Sequence, residues 1–432
     1  MGHSPVLWPR GRVSDGSGEV GDDMLKTLRS VLRFRPVQLR AADRRLSNVA
    51  SLADYRRLAR RRLPRRVFDY IDGGAEDELS LRRNSEAFRR LEFRPRVLCD
   101  VGKIDTSTTL LGRRMPVPVI LAPTGFTRIA TPGGELDVAR AAARAGLPYT
   151  LSTMATRSIE QVARVSDGPK WFQVYVWRDR GMVKDLLARA AAAGYEAIVI
   201  TVDTAVLGRR ERDVRHGFTL PPKVGMGTLI DGALHPRWTW DFVRAEPITF
   251  ANVTRATTAD GSSAVTLADY INGQFDPALS WRDLDWFRAE WDGPIVLKGI
   301  QTVDDARIAA DAGIEAFALS NHGGRQLDGA PVPLELVSDV ADVVGDRAEI
   351  ICDGGIRRGS DIVKAIALGA RACMVGRAYL YGLAAAGERG VDGVLKMLAA
   401  DMERTMALIG RRSVADLDAD LVRWRPASRS DT

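Results

Sequence analysis

From residue 116 onward, short apolar runs alternate eight times with longer stretches whose apolar residues recur at helical spacing. Runs at 117–122, 148–152, 171–176, 197–202, 294–299, 316–320, 349–352 and 372–375 predict buried strands. Helical patterns fill the gaps, for example at 135–145, 183–193, 304–312 and 361–368. Several of these end in Ala-Gly or Leu-Gly-Ala, placing Gly146, Gly194, Gly313 and Gly369 where a helix needs its C-cap. Eight such units predict an α/β fold, a closed (β/α)8 TIM barrel with its chemistry at the C-terminal ends of the strands. A doubly wound open sheet is the alternative, but no strand is followed by a GxGxxG turn.

Two segments lie outside this alternation. Ahead of it, Ser51 is placed to cap a helix carrying Leu52, Tyr55, Leu58 and Ala59, and Pro64 opens a second helix over 65–72 that Gly73-Gly74 ends. Tyr70, flanked by Asp69 and Asp72, is expected to turn its hydroxyl toward a polar cavity. After the fourth strand, an insertion of roughly 207–280 carries Pro221-Pro222, Gly225-Met226-Gly227, Trp238 and Trp240. That composition predicts irregular structure of the lid or binding-surface kind, mobile in part. The expected organisation is a basic, partly flexible extension over 1–48 and one barrel domain over 49–432. The strongly basic stretch 25–45 reads either as an arm on a neighbouring subunit or lipid, or as a solvated tail.

With 432 residues and 45% hydrophobic content, the chain can bury a large core. Lys plus Arg exceed Asp plus Glu by 62 − 55 = 7. The excess favours anionic lipids or substrates, while its dispersal and the lack of a recognition motif argue against nucleic acid. Cys99, Cys352 and Cys373 lack CxxC spacing, so buried free thiols are expected, no metal site, and a reducing cytoplasm. No apolar run reaches the roughly 18 residues of a spanning helix. The first residues also lack the apolar centre of a signal peptide.

The strand ends carry the chemistry. In order they are Pro123-Thr124-Gly125, Thr153-Met154, Gln173 with Tyr175, Thr201 with Asp203, Lys298, Asn321-His322, Asp353-Gly354-Gly355 and Gly376-Arg377. His322 is the one histidine of four that ends an apolar strand. A neutral imidazole there can accept a proton, and Arg325 nearby can grip a carboxylate through a two-pronged hydrogen bond. In isolation the pair also fits a satisfied structural histidine beside a solvated arginine. The seventh and eighth strand ends, with Arg357 and Arg377, match the place where barrels bind phosphate through backbone N–H groups. Lys298, in an apolar run, needs an anionic partner. That partner is either the electron-rich edge of a reduced cofactor such as a flavin, or a carboxylate on a neighbouring strand.

These residues carry a resemblance. Ser-Asn-His-Gly-Gly-Arg-Gln-Leu-Asp at 320–328, Lys298-Gly299, Asp-Gly-Gly-Ile-Arg-Arg-Gly at 353–359, and Thr-Val-Asp at 201–203 with Leu-Gly-Arg-Arg-Glu at 207–211 are its strongest parts. Phe-Asp-Tyr at 68–70 and Gly-Ala-Glu-Asp at 74–77 extend it, so that it covers residues 51 to about 410. Together they resemble the FMN-dependent 2-hydroxy acid dehydrogenases and oxidases, and within that family most closely the bacterial quinone-linked L-lactate dehydrogenases. The resemblance implies that His322 is the base and Asp203 its orienting partner. Arg325 and Tyr70 hold the carboxylate, Tyr175 meets the substrate hydroxyl, and Arg210 supports the substrate from the insertion loop. It further implies FMN with its ring beside Pro123, Thr124, Gly125, Ser152, Gln173, Thr201, Lys298 and Ser320, its phosphate at Gly355, Arg357, Gly376 and Arg377, and Asp353 and Gly354 as further cofactor-binding residues. Gly125 stands where the oxidases commonly have Ala, and Met154 where glycolate oxidases have Trp, so a wider, more apolar pocket is expected. L-lactate is the expected substrate, with L-mandelate or another bulkier acid, or an oxygen-using oxidase, as alternatives. Residues 231–244, with Trp238, Trp240, Phe242, Arg237 and Arg244, resemble the membrane-contacting segment of bacterial lactate and mandelate dehydrogenases. The expected partners are therefore a small 2-hydroxy acid, a quinone, an anionic inner-membrane surface and further copies of the chain, a tetramer among the options.

Overall fold

All eight apolar runs are strands, and they close into one parallel barrel: β1 Val119–Leu121, β2 Tyr149–Ser152, β3 Lys170–Tyr175, β4 Ala197–Thr201, β5 Ile295–Ile300, β6 Ala316–Ser320, β7 Glu349–Asp353 and β8 Ala372–Val375. The computed structural model describes residues 41–217, 226–253 and 273–425. It divides into a unit ending at Arg44 and a unit beginning at Arg45, and the barrel belongs to the second. The N-terminal segment expected to be flexible, most of the basic stretch 25–45, and Pro221, Pro222 and Gly225 lie outside the described residues. β1 is shorter than expected because Pro116 and Pro118 offer no N–H to a ladder.

Side-chain size follows the geometry of an eight-stranded barrel, whose interior is just wide enough to be filled. Ala316 and Ala318 of β6, Ala372 of β8, and Val199 and Val296 point inward with Ile120, Ile351 and Met374. The larger Phe172, Leu297, Phe317 and Leu319 face the surrounding helices. A hairpin of Thr108–Leu110 and Arg113–Met115, without a sequence expectation, adds Leu110 and Met115 to the interior cluster. Cys352 and Cys373 are buried free thiols, and no metal-binding cluster occurs among the described residues.

The N-terminal segment is helical, as expected, with α1 Leu52–Arg62 and α2 Arg65–Asp72; a third helix, α3 Leu79–Arg90, follows. Ser51 and Asp54 form the cap of α1, with Ser51 N and Oγ each 2.8 Å from Asp54 Oδ2. Around the barrel run α4 Glu135–Arg144, α5 Ile159–Val165 and α6 Arg180–Ala192. The insertion departs from the expected irregular structure, since its described parts hold α7 Glu211–Arg215, α8 Met226–Leu234 and α9 Pro236–Arg244. Pro236 is the first residue of α9, where its missing N–H costs nothing. Then come α10 Asp283–Glu290, α11 Val303–Asp311, α12 Pro333–Val344, α13 Gly359–Ala367, α14 Arg377–Ala386 and α15 Glu388–Leu408.

Candidate active site

At the end of β6 the chain turns through consecutive left-handed residues, His322 at φ 59°, Gly323 at 64° and Gly324 at 72°. A non-glycine residue in that region is strained, and strain of this kind persists where surrounding structure over-determines it. Here His322 N donates to Ser320 Oγ at 3.1 Å, and His322 Nδ1 lies 2.9 Å from Asp203 Oδ1. The Asp203 side chain is 0% exposed and that of His322 23%. Burial alone would raise the Asp203 pKa, but His322, Lys298 and the Thr204 hydroxyl outweigh it and hold the carboxyl below its usual range. An ionised Asp203 fixes the proton on Nδ1 and leaves Nε2 as the basic nitrogen.

The route from Asp203 to His322 passes β5, and β5 makes way. Its register against β6 slips between Lys298 and Ile300, and Gly299 sits in the bulge at φ 114°. A Cβ on Gly299 would stand 2.7 Å from Asp203 Cβ and 2.8 Å from Asp203 Cγ, so only glycine fits.

Above this pair lies a cavity of about 250 Å³, lined by His322, Arg325, Tyr70, Tyr175 and Arg210 among others. Arg325 Nη1 donates to Tyr70 O at 2.8 Å and Gly73 O at 3.0 Å, which holds the guanidinium from behind. The Tyr70 ring lies under both arginines, 5.2 Å from the Arg325 guanidinium and 5.5 Å from that of Arg210. Burial, followed by repulsion from Arg210 and Arg377, pushes Arg325 down to about 9, still charged at neutral pH. Such a cluster of cations calls for an anion. Burial, then the Asp203 charge, raises the Tyr175 pKa and keeps its phenol protonated as a donor.

Beneath the cavity a hydrogen-bonded belt crosses the strand ends. Ser152 Oγ donates to Gln173 Oε1 at 2.9 Å, and Gln173 Nε2 donates to Thr201 Oγ1 at 2.9 Å. On the other side Lys298 Nζ donates to Ser320 Oγ and pairs with Asp353 Oδ2, each at 3.0 Å, while Ser320 Oγ donates to Asp353 Oδ2 at 2.7 Å. Lys298 thus has a carboxylate as its counter-charge, the second kind of partner expected for it, but on β7, which β6 separates from β5, rather than on an adjacent strand. Its ammonium is held charged, since Asp353 and Asp203 outweigh the burial that would lower its pKa. Asp353 contributes its carboxylate to Lys298 while also lining the cavity.

The phosphate-type loops form the far wall. Gly354, Gly355, Arg357, Gly376 and Arg377 line the same cavity, next to Pro123, Thr124 and Gly125. A Cβ on Gly376 would find nothing closer than 3.8 Å, so the start of α14 is open to a ligand. Arg377 differs from the expected phosphate fork: Nε donates to Ile71 O at 3.2 Å, Nη1 to Gly323 O at 2.9 Å and Nη2 to Gly73 O at 2.7 Å. Those backbone carbonyls lie at the C-terminus of α2 and in the His322 loop, so Arg377 braces two elements and adds charge to the wall.

Gly125 requires a second correction. The space its missing Cβ leaves is already taken, because an added Cβ would lie 2.9 Å from Met154 Cβ. Ser152, Gln173, Thr201, Ser320 and Asp203 are buried partners behind the wall, whereas the remaining expected residues line the cavity itself. Sequence reasoning missed Phe126, Phe250 and Phe275, which also line it. Phe126 stands 5.7 Å from Phe250 and 6.4 Å from Tyr70, and Phe275 packs edge-on to Tyr175 at 5.2 Å. Phe250 and Phe275 come from the insertion, outside the strand–helix alternation whose strand ends supplied the expected site residues.

In the insertion, Trp238 Nε1 donates to Ile129 O at 2.9 Å, so Trp238 faces the barrel, while Phe242, stacked on its ring at 4.8 Å, stays partly exposed. The outward residues are Ile230, Leu234, Trp240 and Val243, with the Arg244 guanidinium 3.9 Å from the Trp240 ring centre. No helix among the described residues is long and apolar enough to cross a membrane.

A cavity with excess positive charge and an open helix start fits the phosphate of a flavin nucleotide. Comparison with known proteins agrees. A family described as FMN-dependent dehydrogenase matches residues 59–424. The chain is 45% identical over 378 residues to an L-lactate dehydrogenase of Caulobacter vibrioides, covering 87% of this chain and 98% of the relative. It is 41% identical over 372 residues to glycolate oxidase 1 of Oryza sativa subsp. indica, covering 86% and 95%. A crystal structure of the monotopic membrane protein (S)-mandelate dehydrogenase superposes with a TM-score of 0.84 at 42% identity, covering 87% of this chain and all of that one.

Proposed function

The chain belongs to the FMN-dependent dehydrogenase family and is a 2-hydroxy acid oxidoreductase, and from that premise we propose that it converts L-lactate to pyruvate and passes the electrons to a quinone. The observation that carries this reading is the His322–Asp203 pair set beside the Arg325, Arg210 and Tyr70 cluster. One end of the site takes a carboxylate and the other takes a proton from the adjacent carbon or its hydroxyl.

Arg325 and Arg210 offer guanidinium forks to the carboxylate, with the Tyr70 ring fixing their planes. Tyr175 donates to the 2-hydroxyl. His322 Nε2 removes the proton, and Asp203 stabilises the imidazolium that forms. Bound FMN supplies the two-electron sink. Pro123, Thr124, Gly125 and the Ser152–Gln173–Thr201 belt would hold the flavin ring, together with Lys298 and Ser320. Gly354, Gly355, Arg357 and Gly376 would take the phosphate, with Arg377 and Asp353 bracing the two loops.

A second reading, an aromatic acid such as L-mandelate, is favoured by Phe126, Phe250 and Phe275 on the cavity wall. The structural relative is itself an (S)-mandelate dehydrogenase. A panel decides between them: kcat/KM for L-lactate, L-mandelate and glycolate with a soluble quinone, and peroxide release in air. Lactate foremost with little peroxide is the expected result, and mandelate foremost or stoichiometric peroxide would replace it. The outward Ile230, Leu234, Trp240 and Val243 support a peripheral site on an anionic membrane surface, on the inner face of the cell membrane.

A further inference from the structure

α3 lies outside the barrel, yet one of its faces crosses two of the active-site loops. Ser80, Asn84 and Phe88, spaced by four residues and all buried, form that face. At its start, Leu79 N and Ser80 N donate to the Asp328 carboxylate at 3.0 and 2.7 Å. Gly324 sits so close that a Cβ would stand 2.5 Å from Leu81 N. One turn on, Asn84 and Asn321 form a reciprocal amide pair, Asn84 Nδ2 to Asn321 Oδ1 and Asn321 Nδ2 to Asn84 Oδ1, both at 2.8 Å. Asn321 also accepts from Gly324 N at 3.1 Å and donates to Pro331 O at 3.1 Å, which fills its hydrogen-bonding capacity. The residue after Asn321 is His322.

The same asparagine meets the seventh-strand loop. A Cβ on Gly354 would stand 3.1 Å from Asn84 Nδ2, and one on Gly355 would stand 2.0 Å from Asn84 O and 3.1 Å from Phe88 Cε2. The glycines are therefore required by α3 as well as by their φ values of 118° and 80°. The Asn84 amide is thus tied by two hydrogen bonds to Asn321 and packed against Gly354, while the backbone of the same residue packs against Gly355, so a shift of either loop displaces Asn84 against the other.

We propose that Asn84 is a positioning residue that couples the loop carrying the base, His322, to the Gly354–Gly355 loop beside the flavin phosphate, so that each is in register only when the other is. This rests on the functional reading above for the role of His322. Its first readout, FMN affinity of the apoprotein, involves no hydroxy acid and therefore stands or falls separately.

The test uses Asn84→Leu, which keeps the volume without the amide, and Asn84→Asp, which keeps the shape without the donor. Losing a buried hydrogen-bond pair should weaken FMN binding about tenfold, measured by fluorescence titration of apoprotein with FMN. In FMN-saturated enzyme the rate of anaerobic flavin reduction should fall about tenfold, while the KM for the acid changes little because Arg325, Arg210 and Tyr70 are untouched. Wild-type FMN affinity in a folded variant would overturn the proposal. So would weakened FMN binding with an unchanged reduction rate, since the two loops would then be independent. If Asn84→Leu does not fold, Asn84→Asp alone carries the same three outcomes.

Discussion

Asp203 Oδ1 stands 2.9 Å from His322 Nδ1, and the bulge at Gly299 in the intervening strand is what allows the approach. Asp203→Asn should leave FMN bound but slow anaerobic flavin reduction by roughly 10²- to 10⁴-fold, because the amide no longer fixes the proton on Nδ1. Rapid-mixing absorbance at the flavin band reads this directly. Gly299→Ala should act in the same direction through displaced Asp203.

Arg325→Lys tests the carboxylate grip. A lysine cannot reproduce the fork, nor hold Tyr70 O and Gly73 O from behind. The expected loss in kcat/KM for the acid is roughly 10- to 100-fold, the value of a charge-assisted hydrogen bond. Unchanged steady-state parameters would move Arg325 from the substrate to the scaffold.

Asp72 ties the N-terminal helices to the barrel. Arg56 donates to it at 2.6 and 2.7 Å, Tyr381 at 2.7 Å and Arg212 at 3.1 Å. Burial alone would raise its pKa, but Arg56 and Tyr381 outweigh burial and bring it from 3.8 to about 2. A depressed carboxylate stabilises the fold above its unfolded pKa, so this contribution is present near neutrality. It is lost as pH falls from about 4 toward 2. Asp72→Asn should lower unfolding free energy at pH 7 by at least about 2 kcal/mol, the equivalent of the shift, and by less at pH 3. Denaturant titrations at the two pH values check this, and equal losses would contradict it.

What could be read from the chain beforehand depended on whether the signal was local. Eight apolar runs with glycine-capped helices between them sufficed for the barrel, because each run is a strand in its own right. His322, Arg325 and Lys298 stood out because charged or titratable groups at the ends of apolar strands need a reason to be there. The Asn84–Asn321 pair joins residues 237 positions apart, and no pattern in either segment announces the other. Arg377 was legible as a loop cation but not as a brace, since its partners are backbone carbonyls that every residue possesses. In the insertion, prolines and tryptophans suggested irregularity, yet Pro236 begins a helix and Trp238 is anchored by a single backbone hydrogen bond.

The outward face of α8 and α9 makes a separate prediction. Replacing Trp240 and Val243 with Ser should at least halve co-sedimentation with anionic vesicles, because both side chains are exposed and next to Arg244. Flavin reduction should be unaffected. Trp238→Ser, which removes an inward residue, should instead destabilise the insertion. Equal vesicle binding by wild type and the Trp240/Val243 variant would assign this face to another partner.

If His322 takes a proton from an acid held by Arg325 while FMN takes the electrons, anaerobic mixing of the holoprotein with L-lactate must show it. The wild-type flavin should bleach rapidly, and that of His322→Ala should bleach more slowly by roughly 10²- to 10⁴-fold, with FMN retained in both. Bleaching at the wild-type rate in His322→Ala, or no bleaching of the wild type by any 2-hydroxy acid, would refute this assignment.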